Sequence, residues 1–307
     1  MIKTEPPFRC PMPPIHRCAL VTRFADARAT DSAAVLARHL AARGVAVLAP
    51  AEEAERLAGV EAEFLPESPL VAQAGLVVAI GGDGTLLYAA GLVAQRGTPL
   101  LGVNRGRLGF LTDVLPEDIL ASVDAALEGR CAEDQRPLLI AEIHCASGGT
   151  LSGLALNDIV LQKGQSGHLI DFETWIDGRF VNTHGGDGLV VATATGSTAY
   201  ALSCGGPIIE PSLDVVVVTP ICPHTLSDRP IVVSGRASIE VRLVDRPDST
   251  ASVTCDGRAL GALEPGDRLV IRPAASRLTL LHPPGYDYYR LLRSKLNWGR
   301  RAFDPPA

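Results

Sequence analysis

The sequence predicts a chain of mixed class, with a parallel α/β domain followed by an all-β domain of the sandwich type. Strand and helix patterns alternate over the first third, which is typical of a parallel sheet with right-handed crossovers. After Gly129 the pattern changes to short strands separated by turn residues, which indicates a β-sandwich. Helical spacing returns near the C-terminus, and we expect this last helix to pack on the first domain.

The first domain is expected to hold a Rossmann-like sheet of alternating strands and helices. Gly44 should end the first helix, because glycine readily adopts the left-handed conformation of a C-cap. The predicted strands are 18–22, 45–49, 76–80 and 99–103, and the predicted helices are 31–43, one after Asp83, and 116–128.

The second domain is expected to consist of short antiparallel strands. The predicted strands are 138–145, 153–160, 170–176, 188–192, 214–218, 238–244, 251–255, 268–272 and 278–281, before a helix at 289–298. The predicted division is a disordered leader at 1–16, an α/β domain at 17–128 with 286–307, and a β-sandwich at 129–285.

Composition argues against several classes of protein. The 307 residues carry a net charge of −6, which argues against nucleic acid as a partner because such proteins show a basic surface. No apolar run approaches the roughly 18 residues that span a bilayer, so no membrane partner is expected. Seven cysteines without a C-x-x-C pair indicate buried reduced thiols, as in a cytoplasmic protein, rather than disulfides or a zinc site.

The first candidate site is the segment G-G-D-G-T-L-L at 81–87, directly after an apolar strand. Asp83 would lie at the carboxyl end of that strand, where open α/β sheets bind ligands. Gly82 and Gly84 would let the backbone approach a phosphate or a ribose closely. No lysine follows the glycines, so the segment is not a P-loop. The alternative is a tight turn with Asp83 as helix N-cap, but the preceding strand and the following threonine favour function.

A second candidate is the polar pair Asn157-Asp158 between apolar residues. An asparagine amide donates and accepts, and an aspartate accepts from hydroxyls, so the pair suits a ribose diol. The alternative is an Asx turn between two β elements.

A third candidate runs from residue 186 to residue 206 and is dense in threonine, serine and glycine. Its hydroxyl and N–H groups can surround phosphates or ribose, and Tyr200 can stack on a base. The alternative is a polar loop followed by a core helix.

Two further loops are weaker candidates. His224 has the side chain of a general base, but a histidine in a proline-bounded turn more often orients a neighbour. Arg105 and Arg107 have the charge to clamp phosphates, and a solvated loop is an equally good interpretation.

Together these segments resemble the NAD kinase family, in the order that the family shows them, over roughly residues 76–298. G-G-D-G-T alone also occurs in diacylglycerol-type lipid kinases, whereas the whole set is specific. The segments are G-G-D-G-T-L-L, N-R-G-R-L-G-F-L-T, L-N-D, D-G-L-V-V-A-T-A-T-G-S-T-A-Y, P-H-T-L-S-D-R-P-I-V and R-S-K-L-N-W-G.

The resemblance implies transfer of the γ-phosphate of ATP to the 2′-hydroxyl of the adenosine ribose of NAD, giving NADP and ADP. It implies Mg²⁺ or another divalent cation as cofactor, without protein ligands that we can name. It also implies a site between an α/β domain and a β-sandwich, and a homodimer or homotetramer that shares the site between subunits.

By the family's pattern, Asp83 is the catalytic residue that accepts the proton of the 2′-hydroxyl. Asn157 and Asp158 hold ribose hydroxyls or the nicotinamide end, and Asp187 binds the other end of the dinucleotide. The binding residues expected from the resemblance are Gly82, Asp83, Gly84, Asn157, Asp158, His168, Gly185, Asp187, Thr195, Thr198, Ala199, Tyr200, Ala201, Leu202, Ser203, His224 and Arg258.

Three positions depart from the family's usual pattern. Ala194 replaces a proline, Gly185 replaces a basic residue, and His168 stands where arginine or another polar residue is common. These departures concern the phosphate contacts and leave the reaction class unchanged. Two other functions stay open: a diacylglycerol-type lipid kinase, and a non-catalytic NADP(H)-sensing protein that would not need Asp83.

Overall fold

The computed structural model describes residues 14–22, 27–55, 57, 59–105, 109–164, 169–244 and 250–298. The chain divides into two compact units, each with its own buried apolar core. The first unit comprises Met1–Leu92, Thr98–Asp134 and Leu280–Ala307, and the second comprises Val93–Gly97 and Gln135–Thr279. The predicted leader at 1–16 lies almost wholly outside the described residues.

The first unit is built on a parallel sheet. Its strands are β1 (Arg17–Thr22), β2 (Ala46–Pro50), β3 (Glu63–Leu65), β4 (Leu76–Gly81) and β5 (Leu100–Asn104), and its helices include α1 (Ala27–Ala42), α2 (Glu67–Gln73), α3 (Asp83–Val93) and α4 (Ile119–Leu127). The strand order β3-β2-β1-β4-β5 is that of a Rossmann-like half-sheet, as predicted. β4 is fully buried from Leu76 to Ile80, as expected of a strand in a parallel sheet covered on both faces.

Helix and strand boundaries in this unit differ modestly from the predicted ones. α1 begins at Ala27, before the predicted residue 31. Gly44 has a φ of 71° and takes the left-handed conformation expected after a helix. β3 and α2 were not predicted, because three and seven residues are too short to show a clear period.

The second unit consists of two antiparallel sheets, which confirms the predicted sandwich class. Its strands are β6 (Ala132–His144), β7 (Thr150–Ala155), β8 (Asp158–Lys163), β9 (Ile170–Ile176), β10 (Arg179–Gly186), β11 (Gly188–Thr193), β12 (Val215–Ile221), β13 (Ile231–Ser234), β14 (Ile239–Leu243), β15 (Ala251–Cys255), β16 (Arg258–Leu263) and β17 (Arg268–His282), with one short helix, α5 (Tyr200–Ser203). Residues 132–134 of β6 and residues 280–282 of β17 belong to the first unit. One sheet has the order β13-β12-β11-β8-β15-β16. In the other, β10-β9-β14-β17 are neighbours, β6 pairs with β17 and β7 with β6. Phe172 and Leu269 of one sheet and Ile159 and Val191 of the other share one core.

Two strand predictions in this unit were wrong in detail. The predicted strand 153–160 is two strands, because the chain leaves β7 at Leu156 and enters β8 in the other sheet at Asp158. The predicted strands 268–272 and 278–281 are one continuous strand, β17. The polar edge strand β10 and the short strands β13 and β16 were missed.

The C-terminal helix α6 (Tyr288–Leu296) packs on the first unit, as predicted. The Oδ1 atom of Asp287 caps it by accepting the N–H groups of Tyr289 and Arg290, at 2.9 and 3.1 Å. Lys295 Nζ lies 5.7 Å from the ring centroid of Phe110. In the described part of the chain, no helix combines the length and the apolar character that a bilayer crossing requires.

Candidate active site

Asp83 is the first residue of α3, and its carboxylate binds the loop that follows β5. Oδ1 accepts the N–H of Leu111 at 3.1 Å, the N–H of Thr112 at 3.1 Å and the Thr112 hydroxyl at 3.0 Å. Oδ2 accepts the N–H of Phe110 at 2.8 Å. A carboxylate oxygen has two lone pairs, so Oδ2 retains the capacity for one more donor. The side chain therefore anchors a loop, and the described residues leave one acceptor position on Oδ2 for a ligand.

The glycines beside Asp83 have two different roles. A Cβ on Gly82 or on Gly84 would meet no atom within 4 Å. A Cβ on Gly81 would overlap the side chain of Thr85. Gly81 is thus needed for packing, whereas Gly82 and Gly84 leave open space beside the carboxylate that a phosphate or a ribose can enter.

The loop that Asp83 binds is itself held against β5. Asn104, at the end of β5, donates from Nδ2 to the Thr112 hydroxyl at 2.9 Å, and its N–H donates to the Val114 carbonyl at 2.8 Å. The Thr112 hydroxyl thus links Asn104 to Asp83. Arg105, one of the two arginines expected to clamp phosphates, donates to Ser32 of α1 at 2.5 Å. Arg107 lies outside the described residues.

Asn157 and Asp158 lie at the passage from β7 to β8. Asp256 fixes this passage, because its carboxylate accepts the N–H groups of Leu156, Asn157 and Asp158 at 2.7, 2.8 and 3.1 Å. Among the described residues, no donor meets the buried Oδ1 atom of Asn157. Buried polar atoms are normally paired, so this oxygen is a strong candidate for accepting a ligand hydrogen bond.

Asp158 and Asp256 form a buried pair of like charges. The pKa of Asp158 is raised to about 6, mainly by burial and further by the charge of Asp256. A hydrogen bond from the Tyr200 backbone acts in the opposite direction and lowers the pKa. Burial also raises the pKa of Asp256, although its three backbone hydrogen bonds and the Arg258 charge oppose this. Carboxyl groups perturbed in this way concentrate at functional sites.

The segment from Thr193 to Tyr200 packs directly on Leu156 and Asn157. Thr193 donates its hydroxyl to the Leu156 carbonyl at 2.6 Å. A Cβ on Gly196 would overlap the Asn157 carbonyl, so the two chain segments touch. The structure therefore brings together four of the expected residues: Asn157, Asp158, Thr195 and Tyr200.

The other expected residues of this segment differ in exposure. Thr195 and Ala201 are buried, Thr198, Ala199 and Leu202 are half-buried, and Tyr200 and Ser203 are exposed. The part of Tyr200 that is buried raises the pKa of its hydroxyl, and the nearby Cys204, Cys222, Asp187 and Asp158 add to this rise. An exposed ring close to the dinucleotide candidates Asp158 and Asp187 is available for stacking.

Asp187, Gly185 and His224 lie around the turn from β10 to β11. The Oδ1 atom of Asp187 is 2.8 Å from Lys163 Nζ. His224 is exposed, and its backbone N–H donates to the Gly185 carbonyl at 2.8 Å. Arg258 is exposed on β16, and His168 lies outside the described residues.

Two residues of this region were not singled out by sequence reasoning. Asp256 was not among the expected residues, although an Asp-Gly pair between two strands signals a tight hairpin turn whose aspartate is available to bind backbone groups. Arg136 is buried and donates from Nη1 to the Thr195 hydroxyl at 3.1 Å. Nothing in the local sequence distinguishes Arg136 from a surface arginine, since its burial depends on the packing of distant strands.

The described residues do not form a metal cage of their own. Within these residues, no three histidine, cysteine, aspartate or glutamate side chains lie together as ion ligands. A cavity of about 570 Å³ in the first unit is lined by Asp113, Asp118, Arg130 and Tyr286, among others, and Asp83 is not part of it.

Comparisons with known proteins agree with this geometry. Residues 19–131 match the model of the ATP-NAD kinase N-terminal domain, and residues 156–282 match that of the ATP-NAD kinase C-terminal domain. The chain is 44% identical to the NAD kinase of Thiobacillus denitrificans over 288 residues, which are 94% of this chain and 99% of that protein. It is 41% identical to the NAD kinase of Chromohalobacter salexigens over 292 residues, again 94% of this chain and 99% of the relative.

Two solved structures share the fold. Yeast NADH kinase complexed with NADH superimposes with a TM-score of 0.89 at 25% identity, over 94% of this chain and 89% of that one. An NAD kinase from Archaeoglobus fulgidus in complex with ATP gives a TM-score of 0.70 at 27% identity, over 92% and 98% of the two chains. The two domain matches, the long alignments and the shared fold lead to one assignment: the chain belongs to the ATP-NAD kinase family.

Proposed function

We propose that this protein is an NAD kinase, which transfers the γ-phosphate of ATP to the 2′-hydroxyl of the adenosine ribose of NAD and releases NADP and ADP. The observation that carries the proposal is the Asp83 carboxylate, which four hydrogen bonds fix at the start of α3 and whose Oδ2 atom has one acceptor position that no described residue fills. The names of the relatives and the nucleotides in the two similar structures support the same reaction.

Asp83 acts as the general base in this proposal. Its Oδ2 atom accepts the hydrogen bond of the ribose 2′-hydroxyl and takes the proton as the hydroxyl oxygen attacks the γ-phosphorus. A bond forms between the 2′-oxygen and phosphorus, and the bond from phosphorus to the bridging oxygen of ADP breaks. Phosphoryl transfer depends mainly on positioning and charge neutralisation, which a rigidly held carboxylate beside an open backbone serves well.

The second unit binds the dinucleotide. The buried Oδ1 atom of Asn157, to which no described residue donates, accepts from a ribose hydroxyl or from the nicotinamide amide. Asp158 accepts from a second hydroxyl, and Tyr200 stacks on a base. Asp187 contacts the other end of the dinucleotide.

A divalent cation enters with the nucleotide. The described residues build no cage for an ion, and Mg²⁺ usually keeps several waters and binds through substrate phosphates with few protein ligands. The phosphates of ATP would therefore supply most of the ligands of the cation, and the cation would neutralise their charge.

Self-association of the chain completes the proposal. Large apolar side chains of the second unit are exposed, among them Leu226 at 95%, Phe180 at 52% and Val232 at 48%. These side chains are available for contacts between subunits, and the resemblance to the family implies a homodimer or homotetramer whose subunits share the site. The six cysteines in the described residues are free, and we place the enzyme in the cytoplasm, where thiols stay reduced.

The test is a turnover assay with purified protein, NAD, ATP and Mg²⁺, scored for NADP. We expect NADP formation with wild type, and a loss of roughly 10² to 10⁴-fold in kcat for Asp83→Asn. Parallel reactions with polyphosphate and with NADH define the donor and the acceptor. Phosphorylation of diacylglycerol in place of NAD would favour a lipid kinase, and tight NADP(H) binding without turnover would favour a sensor.

A further inference from the structure

His282, the last residue of β17, is buried between two carboxylates. Its Nδ1 atom lies 2.8 Å from Asp113 Oδ2, and its Nε2 atom lies 3.4 Å from Asp134 Oδ2. The imidazole stacks on the ring of Tyr286 with a centroid distance of 3.8 Å and an interplanar angle of 9°. These four residues belong to the first unit. A histidine with two acidic partners and a stacked ring has little freedom to move.

One of these partners adjoins the loop that holds Asp83. Asp113 directly follows Thr112, which donates both its N–H and its hydroxyl to Asp83 Oδ1. The loop is thus bound by Asp83 on one side and by His282 on the other. The backbone of His282 is held in place, because the preceding Leu280 and Leu281 pair with β5.

We propose that His282 is a positioning residue for phosphoryl transfer, which fixes the loop 109–113 and thereby the direction in which the Asp83 carboxylate presents its free acceptor position. The inference rests on the proposed function. The open position on Oδ2 is defined by the hydrogen bond from Phe110, so a shift of the loop turns it away from the 2′-hydroxyl. Small errors in the placement of a reacting group reduce rates strongly.

The contact between His282 and Asp113 depends on pH. Burial by itself lowers the pKa of His282, but the hydrogen bond with Asp113 and the nearby carboxylates of Asp113 and Asp134 outweigh it and raise the pKa above the ordinary 6.5. Tyr286 is the third group that faces the ring. The imidazolium form bridges both carboxylates, so the bridge is complete below the raised pKa and weakens as the pH increases through it.

Two variants of His282 test the proposal. His282→Ala removes both contacts, and we expect kcat to fall roughly tenfold, as for the loss of one charge-assisted hydrogen bond, with KM for NAD and ATP within about twofold of wild type. His282→Asn keeps a donor for Asp113 but carries no charge. We expect its kcat to stay, at every pH, near the lower level that wild type reaches on the alkaline side, so that the alkaline decline of wild type is absent.

A matched control is His39→Asn in the same unit. His39 Nε2 is also paired with an aspartate, 2.7 Å from Asp124 Oδ1, but its partner lies on α4 and makes no contact with the Asp83 loop among the described residues. We expect this variant to keep the pH profile of wild type. Equal profiles for wild type, His282→Asn and His39→Asn would overturn the proposal.

Amide hydrogen exchange gives a readout that does not require turnover. We expect exchange at Phe110, Leu111 and Thr112 to become roughly tenfold faster in His282→Ala, because their hydrogen bonds to Asp83 open more often. Unchanged exchange at these amides would overturn the positioning role even if the protein proves not to be an NAD kinase. Absence of NADP formation by wild type, with faster exchange in the variant, would instead overturn the proposed function.

Discussion

Gly109 lies so close to Asp83 that a Cβ at position 109 would overlap the Oδ1 atom of the carboxylate. The N–H of Gly109 donates to the Thr112 carbonyl at 3.1 Å, which closes the turn around the carboxylate. The G-G-D-G-T segment and the N-R-G-R-L-G-F-L-T segment are separate motifs in the sequence. In the folded chain the two segments are in contact, because residues 109–112 of the second segment surround the acidic side chain of the first.

Gly109→Ala should therefore disturb Asp83 directly. The added methyl group has to displace the carboxylate or the loop, and overpacking of this kind costs about 1–3 kcal/mol. We expect a lower thermal midpoint and a kcat at least roughly tenfold below that of wild type. Gly75→Ala is the matched control, since a Cβ there meets its nearest atoms at an ordinary 3.6 Å. Equal kcat values for the two variants would show that Asp83 tolerates the displacement.

Asp83→Asn separates chemistry from anchoring. The amide cannot take the proton of the 2′-hydroxyl. In addition, its NH₂ group is a donor at a position where the carboxylate accepted a hydrogen bond from an N–H group of the loop. We expect the fold to persist with a stability loss of about 1–3 kcal/mol, and kcat to fall by roughly 10² to 10⁴-fold.

Thr112→Val provides the comparison for this variant. It removes one of the hydrogen bonds to Asp83 Oδ1 and leaves the carboxylate able to accept a proton. Its stability loss should be similar, but its kcat should fall far less than that of Asp83→Asn. Equal losses of kcat in the two variants would mean that Asp83 acts by holding the loop and not as a base. Circular dichroism and chemical denaturation check that both variants fold.

The sequence was informative wherever function depends on local pattern. The burial of β4 and the position of Asp83 at its end follow from an apolar run and a glycine-rich turn, and both were predicted. The hydrogen bonds from Phe110 and Thr112 to Asp83 were not predicted, because they join chain segments whose approach depends on tertiary packing. For the same reason Asp256 was missed as the group that fixes the passage between β7 and β8.

Strand boundaries were least predictable where the chain passes from one sheet to the other. The apolar run 153–160 reads as a single strand, yet the chain crosses from one sheet to the other at Asn157, since Asp256 binds three successive N–H groups there. The sequence pattern does not reveal such a crossing, because side chains point alternately to the two faces of a sheet both before and after it.

Asp158 should make the fold less stable as the pH rises. Its pKa increases from 3.8 to about 6 on folding, so the folded state binds the proton more tightly than the unfolded state does. The stabilising effect of this protonation is present at low pH and is lost as the pH rises through about 6. Asp158→Asn removes the buried charge, and at about pH 8 we expect it to raise stability by up to about 3 kcal/mol.

Thermal midpoints measured at several pH values check this expectation. The advantage of Asp158→Asn should shrink toward acidic pH, while its KM for NAD rises because a ribose acceptor is lost. Asp118→Asn, which alters an exposed carboxylate of the first unit, should show no such trend. A variant that is less stable than wild type at every pH would contradict the burial of a costly charge at position 158.

The three glycines around Asp83 should respond differently to alanine. Gly81→Ala forces a methyl group against Thr85, so we expect it to destabilise the fold along with the activity. Gly82 and Gly84 have open space where a Cβ would stand. Gly84 lies inside α3, where alanine stabilises a helix relative to glycine by roughly 0.5–1 kcal/mol. Gly84→Ala should therefore unfold at a higher temperature than wild type, and yet show a raised KM for ATP or NAD, because its methyl group occupies the space that the ligand needs. A more stable variant with unchanged kinetic constants would mean that no ligand approaches the backbone at this turn.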